Sequence, residues 1–481
     1  MYNYFIDFHC HPSLKPYGKS FDLPEIGQNT SRRRQRNSMW FYDSPDLLEK
    51  ALQTLTGIVK FTQADCTTLA YGNVQVICAS LYPIERGFFN NDLGDGFLSD
   101  LAATFITSVG KARVNYIQQI TNYFEDVQGE YEFYRQLDGV SVRTDAGDFK
   151  YILISSFTDV ENYLQQNPED KKTIFIAMTI EGLHVLHNNI DAEPDRNAIL
   201  ENLRSIKNWQ HPPFFVTFAH HFYNHFCGHA QSLTDLVGSK TDQSDGMFTG
   251  FTALGKDVLL EALSKQSGKR IYIDIKHMSA TSRKEYMQIL ETEFANDKIP
   301  LIVSHGAANG LRSMDEPVPD NPDTAFKLLA ADINFYDNEL LAIAKSGGIF
   351  GLQLDERRVA SPSTLRDTKH SIAINKIRHY RAELLWNQLQ HIAELLDKHD
   401  MFAWNCIAIG SDFDGIINPL NGYLTAETLV HLQEYTERHA HNYMSGRGLT
   451  ALKSYNQISA SEIVTRVFYT NGREFMKNWF V

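Results

Sequence analysis

An α/β fold, a TIM (β/α)8 barrel with inserted helical and loop segments on its rim, is what this sequence predicts, and three observations carry the prediction. Eight short apolar runs, rich in β-branched and aromatic residues, recur along the 481 residues, as do strands of a parallel sheet covered on both faces. Between them lie stretches with apolar residues three and four apart, and strands alternating with helices is the order of such a barrel. Six of the runs end in a histidine or a carboxylate. In these barrels the functional side chains come from the C-terminal ends of several different strands, so the chemistry is expected on one rim.

The first run, Phe5-Ile6-Asp7-Phe8, leads into His9-Cys10-His11. His9 and His11 flank one residue, so on an extended strand they project to the same face and can grip one cation. The second run, residues 74–81 (VQVICASL), has no polar residue at its end. A long aromatic and polar segment, residues 85–150, follows and reads as helices plus a loop that extend or cover the barrel, as a lid or a subunit interface. The third run, residues 174–180, ends in Glu181. A carboxylate there can bridge two metal ions through its two oxygens, or cap the next helix. His184, one helical turn on, reads as a structural residue behind it.

The fourth run, residues 214–219, ends in His220, placed to polarise a substrate carbonyl. It opens the stretch AHHFYNHFCGHA, where a separate metal site from His221, His225 and His229 competes with an irregular loop, and Gly228 and the aromatics favour the loop. The fifth and sixth runs, residues 271–276 and 301–304, end in His277 and His305. These are neighbours on the rim and can supply a second cation with two neutral imidazoles. A Pro- and Asp-rich insertion, residues 312–331, precedes the seventh run at residues 347–353. The eighth, residues 407–411, ends in Asp412 and lies beside the first in a closed barrel, so Asp412 is placed to take a proton from a metal-held water. Asp414 belongs to the following turn. Helices are expected at residues 45–61, 253–265, 282–294, 338–345 and 378–396.

Composition narrows the class. The chain is 43% hydrophobic, 21% charged and carries a net charge of −13, a field that disfavours nucleic acid and anionic membranes as partners. Five scattered cysteines make no CxxC pair, which suits a reducing cytoplasm. No basic and apolar leader precedes the first run and no apolar stretch nears the ~20 residues of a membrane span. With no repeat or clean linker, one domain over 1–481 is expected. The cluster Arg32, Arg33, Arg34 and Arg36 follows the first strand and is either solvated surface or a binder of a substrate carboxylate.

The segments FHCHPS, TIEGLHVL, FVTFAHHFYN, IYIDIKHMSATS, LIVSHGAA and AIGSDFDG, in this order, resemble the membrane (renal) dipeptidase family of the amidohydrolase superfamily, from His9 to about Met476. The resemblance implies a barrel with two divalent ions, zinc in that family, and hydrolysis of dipeptides. Carried over motif by motif, it puts His9 and His11 on the first metal, Glu181 between the two, and His277 and His305 on the second. Asp412 becomes the proton shuttle, and His220 binds substrate and stabilises the oxyanion. Two positions depart from the family pattern. His11 stands where the family has an aspartate, and no arginine precedes the segment 333–337, where the family has one that binds the substrate's carboxylate. Arg312, in the insertion, is the candidate for that place.

The resulting expectation is a dinuclear metal-dependent hydrolase in which hydroxide held by the two ions attacks an amide bond of a small dipeptide-like substrate. A phosphoesterase or lactonase on the same metals, and a catalytically silent binding barrel, are the rivals. Assembly into a homo-oligomer stays open.

Overall fold

In the computed structural model, which describes residues 4–23, 32–46, 49–50, 59–89, 108–233, 242–368, 373–415 and 417–481, the eight runs are eight parallel strands. They are β1 (Phe5–Cys10), β2 (Val74–Leu81), β5 (Thr173–Glu181), β6 (Phe215–Thr217), β7 (Tyr272–Asp274), β8 (Ile302–Gly306), β9 (Ile349–Leu352) and β10 (Ile407–Ile409). The hairpin of β3 (Val142–Thr144) and β4 (Gly147–Ile154) completes the set. Pairing runs β1–β2–β5–β6–β7–β8–β9–β10 and returns to β1 through Asp7 opposite Ile409, so the ring closes. All eight ring strands are buried along their whole length, which is why each reads as a continuous apolar run.

Helices lie between the strands as the apolar spacing predicts. Residues 253–265 fold as Ala253–Leu263, residues 282–294 as Ala280–Glu293, residues 338–345 as Asp337–Lys345 and residues 378–396 within Ile374–Lys398. Their starts follow local chemistry, for Thr252 and Ser279 accept hydrogen bonds from the backbone of Gly255 and Ser282. The helix expected at 45–61 lies largely outside the described residues.

The insertion after β2 departs from the sequence reading. Helices Lys111–Gln119 and Tyr123–Arg135 are present, but the chain then forms the β3–β4 hairpin, and β4 adds in parallel to the first half of β5. The β4 sequence GDFKYILI alternates partly exposed and buried positions up to Leu153, the mark of a half-covered strand rather than of a barrel stave. Along β5, Phe175 meets Ile152 of β4, whereas Ile180 and Glu181 meet Val216 and Thr217 of β6. The β5–β6 seam is therefore zipped only at the end that carries Glu181. Below it, the Phe480 ring packs against Phe214 at 4.6 Å, and the Phe480 carbonyl accepts the Phe157 N–H.

Candidate metal centre

The six polar residues that end strands converge at the carboxyl end of the ring. His9 is on β1, and His11 directly follows it on the same face. That face also carries Asp7, which accepts from the backbone and hydroxyl of Ser411 at 2.8 and 2.5 Å and so ties β1 to the strand closing the ring. Glu181 is the last residue of β5 and His305 lies within β8, while His220, His277 and Asp412 each stand three residues past β6, β7 and β10. His277 and Asp412 have φ of +66° and +61°, a region that costs a side-chain-bearing residue about 1 kcal/mol or more and is typical of functional positions. Glu181 is turned by Gly182 at φ +91°, where a Cβ would stand 2.4 Å from the His184 ring and 3.0 Å from His220.

The Glu181 carboxylate is the hub. Its Oε1 lies 3.3 Å from His9 Nε2, 3.4 Å from His305 Nε2, 3.5 Å from His277 Nε2 and 3.6 Å from His220 Nε2. The other oxygen lies 3.1 Å from His11 Nε2. His9 and His11 Nε2 are 3.1 Å apart, and Asp412 Oδ1 is 3.8 and 3.7 Å from them. Eight nitrogen and oxygen atoms from seven residues so close together, nearly all buried, exceed what a few protons can bridge, and imidazole with carboxylate is the donor set of a divalent transition metal. The residues therefore fit bound divalent metal. Three groups come within 4.8 Å of mutual contact: His9, Glu181 and His305; His9, His11 and Asp412; and His220, His221 and His277.

Electrostatics follow from burial and this crowding. Burial opposes ionisation of Glu181, but the imidazoles of His220, His9 and His11 outweigh it and hold the carboxyl well below its usual range. Asp412 moves the other way, because burial and the neighbouring Glu181 charge push its carboxyl well above that range. Burial and adjacent imidazoles keep His277 and His305 neutral, the form that binds metal. His220 is raised despite burial by Glu85 and Glu181. Its Nδ1 is 2.8 Å from Glu85, whose other oxygen accepts from the backbone of His221 and Phe222.

The structure brings together His9, His11, Glu181, His220, His277, His305 and Asp412. It does not bring Arg312, whose exposed guanidinium is captured within its own acidic loop by Glu316 at 2.5 Å and Asp320 at 2.6 Å. Nor does it bring the basic cluster, where Arg33 pairs with Asp145 at 2.6 Å beside the β3–β4 turn. The stretch after His220 is an irregular loop as expected, with both His229 nitrogens at backbone carbonyls. Asp414 accepts from the backbone of Gln63 and Ala64 and pairs with Lys15, a structural role.

The sequence reading missed Lys276, Arg357 and Arg358, which line the cleft beside Asp412. Burial and Arg358 bring the Lys276 ammonium down to about 7. The signal was position, since Lys276 directly precedes His277 and the arginines follow β9. Glu85 was missed too, for it lies past the end of a strand without a terminal polar residue.

No family model and no curated protein matches the sequence. Among solved structures, a metallo peptidase from Rhodobacter sphaeroides with a phosphinate mimic of the dipeptide L-Ala-D-Ala superposes with a TM-score of 0.52 at 12% identity, over 99% of each chain. The metallo peptidase dipeptidase AC matches with the same score, identity and coverage. The chain shares their fold. That likeness leaves the chemistry to be argued from the site.

Proposed function

We propose that this chain is a dinuclear metal-dependent hydrolase, with zinc as the metal, that cleaves the amide bond of a small dipeptide-like substrate. The observation that carries the reading is one buried carboxylate faced by five imidazole nitrogens at 3.1–3.6 Å on the rim of a closed barrel. His9 and His11 would hold one cation, His277 and His305 the other, and Glu181 both. When bound, the cations acidify water toward neutral pH and polarise the amide carbonyl. Asp412, already disposed to carry a proton, receives one at its carboxylate and delivers it to the leaving amine. His220, whose imidazole Glu85 and Glu181 push toward its protonated form, donates from Nε2 to the developing oxyanion.

Lys276 and Arg358 line the same cleft, where Arg357 is paired with Asp355 at 2.6 Å, and a free substrate carboxylate suits these two cations. They take the place that the sequence reading gave to Arg312, and the carboxylate of a dipeptide is the group they would meet. The five cysteines are all buried and free, in keeping with a cytoplasmic setting. No described helix is long and apolar enough to cross a membrane.

The test is metal analysis of the purified protein together with hydrolysis of dipeptide, phosphoester and lactone panels. Two equivalents of metal and turnover of dipeptides are expected. Preference for phosphoesters or lactones would overturn the amide reading, and absence of bound metal with no turnover on metal addition would overturn the whole.

A further inference from the structure

Beneath Glu181 lies a group that the proposed chemistry does not use. The Ser304 hydroxyl is fully buried and has three close polar neighbours: Asp274 Oδ2 at 2.6 Å, His305 Nδ1 at 2.9 Å and His9 Nδ1 at 3.2 Å. A hydroxyl has one proton to give and two lone pairs to offer. Asp274 also accepts from the Thr217 hydroxyl at 2.8 Å and from the backbone N–H groups of Lys276 and Ser304 at 3.0 and 3.1 Å. Every group around Asp274 donates to it, so the Ser304 proton points there. The lone pairs then face the two imidazoles, and each ring carries its hydrogen on Nδ1. Both rings consequently turn a bare Nε2 toward Glu181.

The arrangement is specific to these two rings. His11 Nδ1 and His277 Nδ1 are buried without a hydrogen-bond partner among the described residues. The other hydroxyl near His9, that of Ser80, stands at 3.5 Å and is engaged with Thr179 at 2.9 Å. The Ser304 backbone is itself wedged, since a Cβ at Gly351 or Gly410 would stand 1.9 or 1.8 Å from its carbonyl oxygen. The strand segment that carries this hydroxyl is thus closely packed against β9 and β10.

We propose that Ser304 and Asp274 are positioning residues that link the two cation sites. One hydroxyl, oriented by one carboxylate, fixes the donor atom of a ligand in each set: His9 for the first cation and His305 for the second. Affinity for the two cations is therefore lost together when this relay is broken. The inference rests on the two-metal reading above and goes beyond it, because that reading links the two sites only through Glu181.

Zinc titration of the metal-free protein against a competing chelator tests it, with thermal melting to follow the fold. Ser304→Ala and Asp274→Asn are each expected to weaken both equivalents by about 10–100-fold, the usual effect of removing an outer hydrogen bond from a ligand histidine. Wild-type affinity at either equivalent in Ser304→Ala would overturn the linkage while leaving the metal reading intact. A wild-type protein that takes up no zinc would instead remove the metal reading itself. Should the variants not fold, neutron diffraction of the wild-type holoenzyme decides: a Ser304 deuteron aimed at Asp274 is expected, and one aimed at either imidazole overturns the relay.

Discussion

At the scale of single residues, two carboxylates a few ångströms apart are driven in opposite directions by what surrounds them. Glu181 is held ionised by imidazoles, and Asp412 is pushed toward its protonated form by burial and by Glu181. Such a division suits the roles proposed for them, a ligand and a proton carrier. Asp412→Asn should retain both metals and lower kcat on a dipeptide by about 10²–10⁴-fold, which steady-state kinetics with parallel metal analysis would show. Unchanged turnover would remove Asp412 from the proton path. Lys276→Met should raise KM for a dipeptide far more than for its C-terminal amide, and equal effects on both would show that Lys276 meets no carboxylate.

A third case lies outside the metal cluster. Glu130, buried beneath Tyr82 and Ser13, has its carboxyl pushed by burial up from 4.5 to about 7. The folded protein thus binds a proton there that the unfolded chain has released, and this contribution to stability, full below about pH 4.5, is lost as pH rises through 7. Glu130→Gln should gain on the wild type between about pH 5 and pH 8, by about 1–3 kcal/mol, in denaturant titrations at several pH values. A constant difference across that range would contradict it. The clustered histidines were legible because each closes an apolar run. Lys276, Arg357 and Ser304 were not, since nothing in a linear sequence says that a residue beside a ligand, or after an unremarkable strand, faces the same cleft.

At the scale of elements, legibility depended on how completely a segment is buried. The ring strands announced themselves as apolar runs, yet several are shorter than those runs. β6, β7 and β10 each pair over three residues, because the chain bends out of the ladder to present His220, His277 and Asp412. The β3–β4 hairpin escaped because half of it faces water and because it doubles a strand that already has a ring partner on each side. The Gly182 turn shows how an element's end sets the chemistry. Gly182→Ala forces a side chain into a φ of +91° against His184 and His220, and should cost about 1–3 kcal/mol of stability and displace Glu181. Loss of zinc affinity together with a lowered Tm would report both effects, and wild-type values for both would show that the turn tolerates a side chain.

At the scale of the whole molecule, the ring closes where β1 meets β10, and residues near both sequence ends pack on each other there. Phe5 packs edge-on against Phe468 and Phe8 against Phe475, each at 5.8 Å. His9 and Asp412, about four hundred residues apart in sequence, become neighbours only through that closure. Chelation should lower Tm by several degrees, since ligands held about a thousandfold above their Kd add about 4 kcal/mol, and an unchanged Tm would argue that no ion bridges the strands. The same seam has a consequence for biosynthesis. A ribosome that has released everything up to β9 has released an open sheet with bare imidazoles and an exposed edge. That edge is of the kind that favours aggregation until residues 407–480 emerge to shut it.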